Sequence, residues 1–200
     1  SDQPGYAILI RNVKKDIELF REENVPLFTE INTETQKYAQ LSGAMTIEWK
    51  GQELTLQQAS VLLQETDRAV REEVYQKVAA RRLRDKDELD SLYSRLIQLR
   101  HRVALNAGFA NFRDYMFKAY GRFDYTPQDC FAFHDSVAYE VVPVLEELAE
   151  NRKHELGVEA LRPWDKAVDV RGRAPLRAFA GGADLTAKSI ECFSRLDQFL

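Results

Sequence analysis

The chain has 200 residues, of which 44% are hydrophobic and 30% are charged, and its formal net charge is -4 at pH 7. This composition is that of a soluble globular protein and excludes a disordered chain. The slight excess of negative charge repels phosphate, so we expect no nucleic-acid partner. Residues 6–10 form one of the longest apolar runs, five residues, whereas a membrane span needs about 20. We therefore expect no membrane partner either.

Two cysteines, Cys130 and Cys192, occur without the paired spacing of a disulfide-stabilised or metal-binding framework. Such sparse cysteine use favours a reducing compartment over a secreted, disulfide-rich scaffold. The sequence therefore predicts a cytoplasmic protein.

The first part of the chain predicts two helices. From Ala7 to about Glu23, apolar residues recur on one helical face between charged ones. Pro26 suits the first turn of a second helix, which we expect to run to about Leu41.

A short β-hairpin is predicted near residues 45–56. Residues 45–49 and 52–56 alternate in polarity on either side of Lys50 and Gly51, as two strands around a tight turn do. Thr55 can cap a short helix over residues 56–63.

Between Asp67 and Asn106 an apolar stripe recurs at helical spacing among Arg, Lys, Glu and Asp. A continuous helix of that length would extend about 60 Å. A compact chain of this size has a diameter of only about 43 Å. Two interpretations stay open: the helix breaks, near Asp85–Asp90, or it packs on elements that lie outside this chain.

The remainder predicts helices over 111–119 and from Thr126 to Leu156, the latter bending at or tolerating Pro143 and ending at Gly157. A long loop follows, and a final helix begins near Asp184 and is still periodic at residue 200. The expected fold is all-α with one short hairpin. We expect residues 1–200 to be a single helical segment of a longer polypeptide.

Three histidines supply the imidazole groups. His154-Glu155 opens the zinc-protease pattern H-E-x-x-H, but Val158 occupies the second histidine position, so that site cannot form. We interpret His154 as a solvated residue at a helix end, and His101 as a surface residue. His134 next to Asp135 is a weak acid–base candidate, because adjacent residues on a helix do not face each other.

Other catalytic motifs are missing from the sequence. It contains no G-x-S-x-G nucleophile pattern, and neither cysteine has a basic neighbour in sequence. It also lacks the glycine-rich phosphate-binding patterns. Residues 81–84 are mostly basic but acidic residues follow directly, which favours a solvated helix face over a phosphate-binding stripe.

The segment 120–125, Tyr-Gly-Arg-Phe-Asp-Tyr, differs from these because it concentrates aromatic and charged groups on a glycine loop between two predicted helices. Such loops can line a peptide-binding cleft, with Arg122 for a carboxylate and tyrosines for hydrogen bonds. Packing in the core or against another domain is an equally good interpretation. The candidate substrate contacts are Arg122, Asp124, Tyr125 and His134; no catalytic, metal-binding or cofactor-binding residue is assigned.

Several stretches resemble the oligoendopeptidase F-type zinc metallopeptidases, which are relatives of thimet oligopeptidase. They are residues 24–39, 43–60, 100–118, 121–131 and 156–170. Together they cover most of the chain from about residue 20 onward, in the same order as in the family.

The resemblance implies a mostly helical peptidase with a deep channel for short peptides. It also implies a zinc site made by H-E-x-x-H and a later Glu, the motif Glu acting as general base on zinc-bound water. That motif lies C-terminal to the matched region, so no catalytic or metal residue is carried over to this chain.

Two functions follow as hypotheses. The first is a structural, channel-wall portion of a zinc-dependent oligoendopeptidase that cleaves short peptides. In this reading the segment is inactive by itself, binds no zinc, and has the remainder of the same polypeptide as its partner. The alternative is a stand-alone helical module that binds peptides or proteins without cutting them, and a nucleic-acid-binding module is a distant third.

Overall fold

A computed structural model of the protein describes residues 4–196. Its α-helices are α1 (Ala7–Leu19), α2 (Asn24–Gly43), α3 (Leu56–Val61), α4 (Arg68–Arg84), α5 (Lys86–Asn106), α6 (Phe112–Ala119), α7 (Pro127–Ser136), α8 (Val142–Leu156) and α9 (Gly182–Leu196). Its strands are β1 (Thr46–Trp49) and β2 (Gln52–Thr55). The predicted all-α fold with one short hairpin is confirmed. No helix in the described part of the chain is long and apolar enough to cross a membrane.

The first two helices differ from prediction at their boundaries. Helix α1 ends at Leu19 rather than near Glu23, because the backbone becomes extended at Phe20. Helix α2 begins at Asn24 and runs to Gly43, which leaves Pro26 within its first turn, where the missing N–H has no helical partner to lose. The final helix, predicted to continue to residue 200, is described up to Leu196, and its last four residues lie outside the described part.

The hairpin forms where it was predicted. Strands β1 and β2 pair antiparallel, with Ile47 opposite Leu54 and Trp49 opposite Gln52. Both turn residues, Lys50 and Gly51, have positive φ, which matches the right-handed twist of the paired strands.

The long apolar stripe is interrupted at Asp85, which separates α4 from α5. Asp85 has φ -97° and ψ 9°, outside the helical region, and its carboxylate accepts a hydrogen bond from Arg81 at 2.6 Å. One of the two open interpretations, a break near Asp85–Asp90, is therefore observed.

The predicted helix 126–156 is divided into α7 and α8 by a π-helical turn, Val137–Val141. Thr126 caps α7: its hydroxyl accepts from the Asp129 amide, and the Asp129 carboxylate accepts from the Thr126 amide. Pro143 lies in the first turn of α8, directly after the π turn, so the chain passes the proline without ending the helix. Gly157 ends α8 in the left-handed conformation, as predicted.

Two apolar clusters form the core between the first six helices and the hairpin. The first joins α1, α2, α5 and α6 through Leu19, Leu27, Leu99, Val103, Ala104, Ala107 and Tyr115. The second places the hairpin and α3 on α4 through Ile47, Trp49, Ala59 and Val74. Asn24 supports the first cluster: its buried amide donates to the Val103 carbonyl and accepts from Asn106. The α1–α6 contact made by this cluster positions the cleft described next.

Candidate functional site

An open cleft of about 540 Å³ lies between α1, α6 and the loop that follows α6. Five cationic side chains line it: Arg11, Lys14, Lys15, Lys118 and Arg122. Two carboxylates, Glu18 and Asp114, and the rings of Phe117 and Phe123 complete most of the lining. The cleft is thus locally basic in a chain whose net charge is negative.

Arg122, which is one of the four residues predicted to contact substrate, lies in this cleft. Its guanidinium stands 5.3 Å from the centre of the Phe117 ring and 5.2 Å from that of Tyr120. The preceding Gly121 has φ +66°, and an added Cβ would come to 3.4 Å from the Phe123 ring. Glycine therefore permits the tight turn that directs Arg122 towards the aromatic groups.

Tyr125 and Asp124 occupy the edge of the same region. The Tyr125 ring packs edge-on against Phe117, 5.4 Å between ring centres, and is 45% exposed. The Asp124 carboxylate, largely exposed, accepts a hydrogen bond from Arg11 at 3.4 Å, which joins the loop to α1. Arg122 and Tyr125 thus share Phe117 as a neighbour, and Asp124 contacts the cleft through Arg11.

His134 is separate from the other three candidates. It is exposed on α7, with the rings of Phe131 and Phe133 each 6.4 Å away between centres. Among residues 4–196, no ion pair links it to Asp135 or Asp129. The Asp129 carboxylate is instead bound at the Thr126 cap, so the geometry gives His134 no carboxylate to orient it as a base.

The contribution of α1 to this site was not predicted from the sequence. In the sequence, α1 has the pattern of an amphipathic helix, and cations at helical spacing usually belong to the solvated face of such a helix. Nothing local distinguishes Arg11, Lys14 and Lys15 from such solvated residues. Only tertiary contacts reveal their role. Lys15 donates to the Ala119 carbonyl at the end of α6, and Lys118 pairs with Glu18 across the two helices.

Both acidic groups of the cleft already have partners: Glu18 pairs with Lys118, and Asp114 is bound by residues outside the lining. Asp114 accepts from Arg113 at 2.8 Å and from the Asn111 amide at 2.9 Å. These hydrogen bonds hold the pKa of Asp114 below its ordinary value. Asp114 therefore stays ionised, but its charge is compensated by Arg113 rather than by the cations that line the cleft.

A second charged cluster is buried away from the cleft. Asp165, fully buried in the loop after α8, accepts hydrogen bonds from Arg68 and Arg71 of α4 and from the Arg162 amide. Burial alone would raise the pKa of Asp165, but these donors outweigh it and lower the pKa to about 2. Arg71 also donates to the carbonyls of Glu65 and Trp164. The charged groups of this cluster find their hydrogen-bond partners within the chain itself, and the cluster therefore holds the loop against α4.

No group of three His, Cys, Asp or Glu side chains within residues 4–196 is arranged to hold a metal ion. His154 is largely exposed and approaches only Glu150, at 3.3 Å, and His101 is exposed on α5. The donors described here therefore do not fit a zinc site. What the cleft can do chemically is bind and orient a ligand by charge and aromatic contact.

Comparison with known proteins relates the chain to peptidases. The family model described as peptidase family M3 matches residues 61–172, more than half of the chain. The fold is similar to that of an oligoendopeptidase F from Bacillus anthracis, with 24% identity and a TM-score of 0.86 over 96% of this chain and 35% of that one. No curated protein sequence matches the chain.

Two further structures have the same fold. PZ peptidase A with an inhibitor is 25% identical, with a TM-score of 0.78 over 80% of this chain and 29% of that one. Another oligoendopeptidase F structure is 24% identical, with a TM-score of 0.88 over 96% of this chain and 34% of that one. The chain spans about a third of the length of these structures.

Proposed function

Because the chain belongs to peptidase family M3, we propose that it is a helical portion of an enzyme that hydrolyses peptide bonds in short peptides. The family match over residues 61–172 carries this proposal. Residues 1–200 form one segment that continues into a catalytic region, and the protein works in the cytoplasm. Arg122, Asp124, Tyr125 and His134 contribute to the wall along which the peptide lies.

Zinc dependence is part of the proposal and rests on the resemblance to oligoendopeptidase F. No group of His, Cys, Asp or Glu side chains within residues 4–196 fits the metal, so we assign its ligands and the general base to other parts of the polypeptide. The 200 residues alone therefore bind no zinc and hydrolyse no peptide. Their own contribution is shape and peptide contact.

The exposed apolar face of α8 supports packing against the remainder of the polypeptide. This face is formed by four apolar residues at i, i+3, i+4, i+7 spacing, each between 45% and 58% exposed: Val141, at the end of the π turn, and Val144, Leu145 and Leu148. A contiguous apolar stripe of this kind is a typical interaction surface, because covering it removes apolar area from water.

The proposal is tested by comparing the longer polypeptide that contains this sequence with the 200-residue chain on an internally quenched fluorescent peptide. We expect the longer polypeptide to cleave the peptide, to lose activity with a chelator and to regain it with zinc, while the chain alone is inactive. Cleavage by the chain alone that a chelator abolishes would contradict the assignment of the zinc site to other residues.

A channel-wall role for Arg122 is tested in the same longer polypeptide. Arg122→Ala should raise KM more than it lowers kcat, because the residue binds peptide rather than the reacting atoms. Arg82→Ala is the matched control, since Arg82 is exposed on α4, away from the cleft, and should leave both constants unchanged.

A stand-alone peptide-binding module is the second candidate. The observation that favours it is that the cleft is assembled within this chain, from α1, α6 and the following loop. Peptide binding by the chain, together with a longer polypeptide that cleaves none of a broad peptide library, would favour this candidate over the peptidase.

A further inference from the structure

The cations of the cleft are not all used by the protein. Within residues 4–196, Arg11 pairs with Asp124, Lys15 with Asp16, and Lys118 with Glu18. Lys14 and Arg122, which also line the cleft, make no ion pair with the described residues. Two positive charges therefore remain available to a ligand.

Both arginines lie over aromatic rings; one N–H group of Arg11 is bound to Asp124, whereas the side-chain N–H groups of Arg122 bond to none of the described residues. Arg11 stacks 4.3 Å from the centre of Phe123, and Arg122 lies over Phe117 and Tyr120. A guanidinium placed over a ring face still points its N–H groups outward in its own plane. That geometry suits two-pronged binding of a carboxylate, and the stacking lowers the entropy lost when the ligand binds.

We infer that this cleft binds the carboxylate groups of acidic peptides, with Arg122 and Lys14 as the main contacts. The inference rests on the proposed function and names the class of peptide that this wall selects. Because the net charge of the chain is -4, a glutamate- or aspartate-containing peptide gains no attraction from the chain as a whole, and the cationic cleft is where such a peptide is favoured.

The test measures binding of a labelled peptide containing glutamates, and of the same peptide with glutamines, to the 200-residue chain by fluorescence anisotropy. We expect the glutamate peptide to bind at least about tenfold more tightly, and the preference to shrink at high salt. Equal binding of the two peptides would overturn the inference while leaving a peptide-contacting wall intact. Cleavage of peptides by the longer polypeptide is measured separately, so the result for the peptidase proposal does not depend on the result of this binding test.

Variants locate the site. Lys14→Glu and Arg122→Glu should each weaken binding of the glutamate peptide about tenfold and leave the glutamine peptide nearly unchanged. Arg82→Glu, which makes the same charge change on an exposed face of α4, should have little effect. If all three variants weakened binding of the glutamate peptide equally, the effect would come from net charge alone, and the inference would be overturned.

Circular dichroism checks that each variant folds, and a milder pair of substitutions, Lys14→Gln and Arg122→Gln, serves as a second control. These side chains are exposed, so their replacement should leave the unfolding transition unchanged. Gln variants that fold normally and bind the glutamate peptide as tightly as the unmodified chain would also contradict the assignment.

Discussion

At the residue scale, Asp165 carries the most consequential single charge in the described structure. Its buried carboxylate joins the loop after α8 to Arg68 and Arg71 of α4, while Arg152 of α8 donates to its backbone carbonyl at 2.9 Å. Because α4 binds the carboxylate and α8 binds the backbone carbonyl, Asp165 holds the loop against both helices. Removing one partner of such a buried pair leaves the other charge uncompensated.

We predict that Asp165→Asn lowers the free energy of unfolding by about 3 kcal/mol, since Arg71 would remain buried without its counter-charge. Urea unfolding followed by circular dichroism measures this loss. Asp124→Asn is the matched control: its carboxylate is exposed, and the expected change is below about 1 kcal/mol. Similar losses in the two variants would show that burial of Asp165 contributes little.

The lowered pKa of Asp165 predicts an acid-sensitive contribution to stability. The carboxyl titrates near pH 2 in the folded chain and near its ordinary value of 3.8 when unfolded. Its contribution is therefore present above about pH 4 and is lost as the pH falls towards about 2. The size of this loss is on the order of 2 kcal/mol.

Hydrogen bonds from Arg113 and Thr126 also lower the pKa of Asp114 and of Asp129, so the difference between the unmodified chain and Asp165→Asn is needed to isolate the effect of Asp165. We expect the difference in unfolding free energy to narrow from about pH 5 to about pH 2. A difference that is independent of pH would contradict the role of ionisation.

At the element scale, local sequence signals decide where the helices begin and end. Thr55 and Thr126 each form a reciprocal cap with the residue three positions later, and Gly157 ends α8. The second apolar cluster places the hairpin and α3 on α4, whereas α7 begins from the exposed Thr126. Helix α7 therefore depends more on its cap than α3 does.

We predict that Thr126→Ala destabilises the start of α7 by about 1 kcal/mol, because the Asp129 amide loses its acceptor. Hydrogen exchange of the amides in the first turn of α7 should accelerate accordingly. Thr33→Ala, within the exposed face of α2, is the matched control and should not accelerate exchange, since alanine favours a helix interior. Unchanged exchange in Thr126→Ala would mean that tertiary contacts hold the helix start.

At the scale of the whole molecule, apolar surface is distributed unevenly. Residues 141–150, which run from the end of the π turn into α8, are all exposed and include the stripe of Val141, Val144, Leu145 and Leu148. Helix α9 also exposes apolar residues, among them Ile190, Phe193 and Leu196. In the proposed peptidase, these faces meet the remainder of the polypeptide.

We predict that the 200-residue chain self-associates through the α8 stripe and that Leu145→Glu with Leu148→Glu reduces this association, because charge prevents burial of the stripe. Light scattering at increasing protein concentration measures the effect. Leu176→Glu is the control, since Leu176 is 99% exposed in a loop away from the stripe. An equal decrease in the control would assign the effect to added net charge.

Much of the fold could be predicted because its causes are local in sequence. Apolar periodicity predicted the helices, and alternation around Lys50 and Gly51 predicted the hairpin. The length of the 67–106 stripe left two interpretations open, one of which was a break near Asp85–Asp90. The resemblance to oligoendopeptidase F, carried by strings across most of the chain, is confirmed at the level of the family. Such signals act within a few turns of a helix, so no knowledge of the tertiary packing is needed to interpret them.

The cleft and the buried ion cluster were decided only by the tertiary structure. Arg11 meets Asp124 across 113 positions of sequence, and Arg71 meets Asp165 across 94. The sequence alone does not distinguish a buried charged residue from a solvated one. The difference arises when a distant element packs over the residue and changes its dielectric surroundings and its partners. The sequence by itself therefore determined the elements and the family, while packing between distant elements determined which charges are buried, which are paired, and which remain free to bind a ligand.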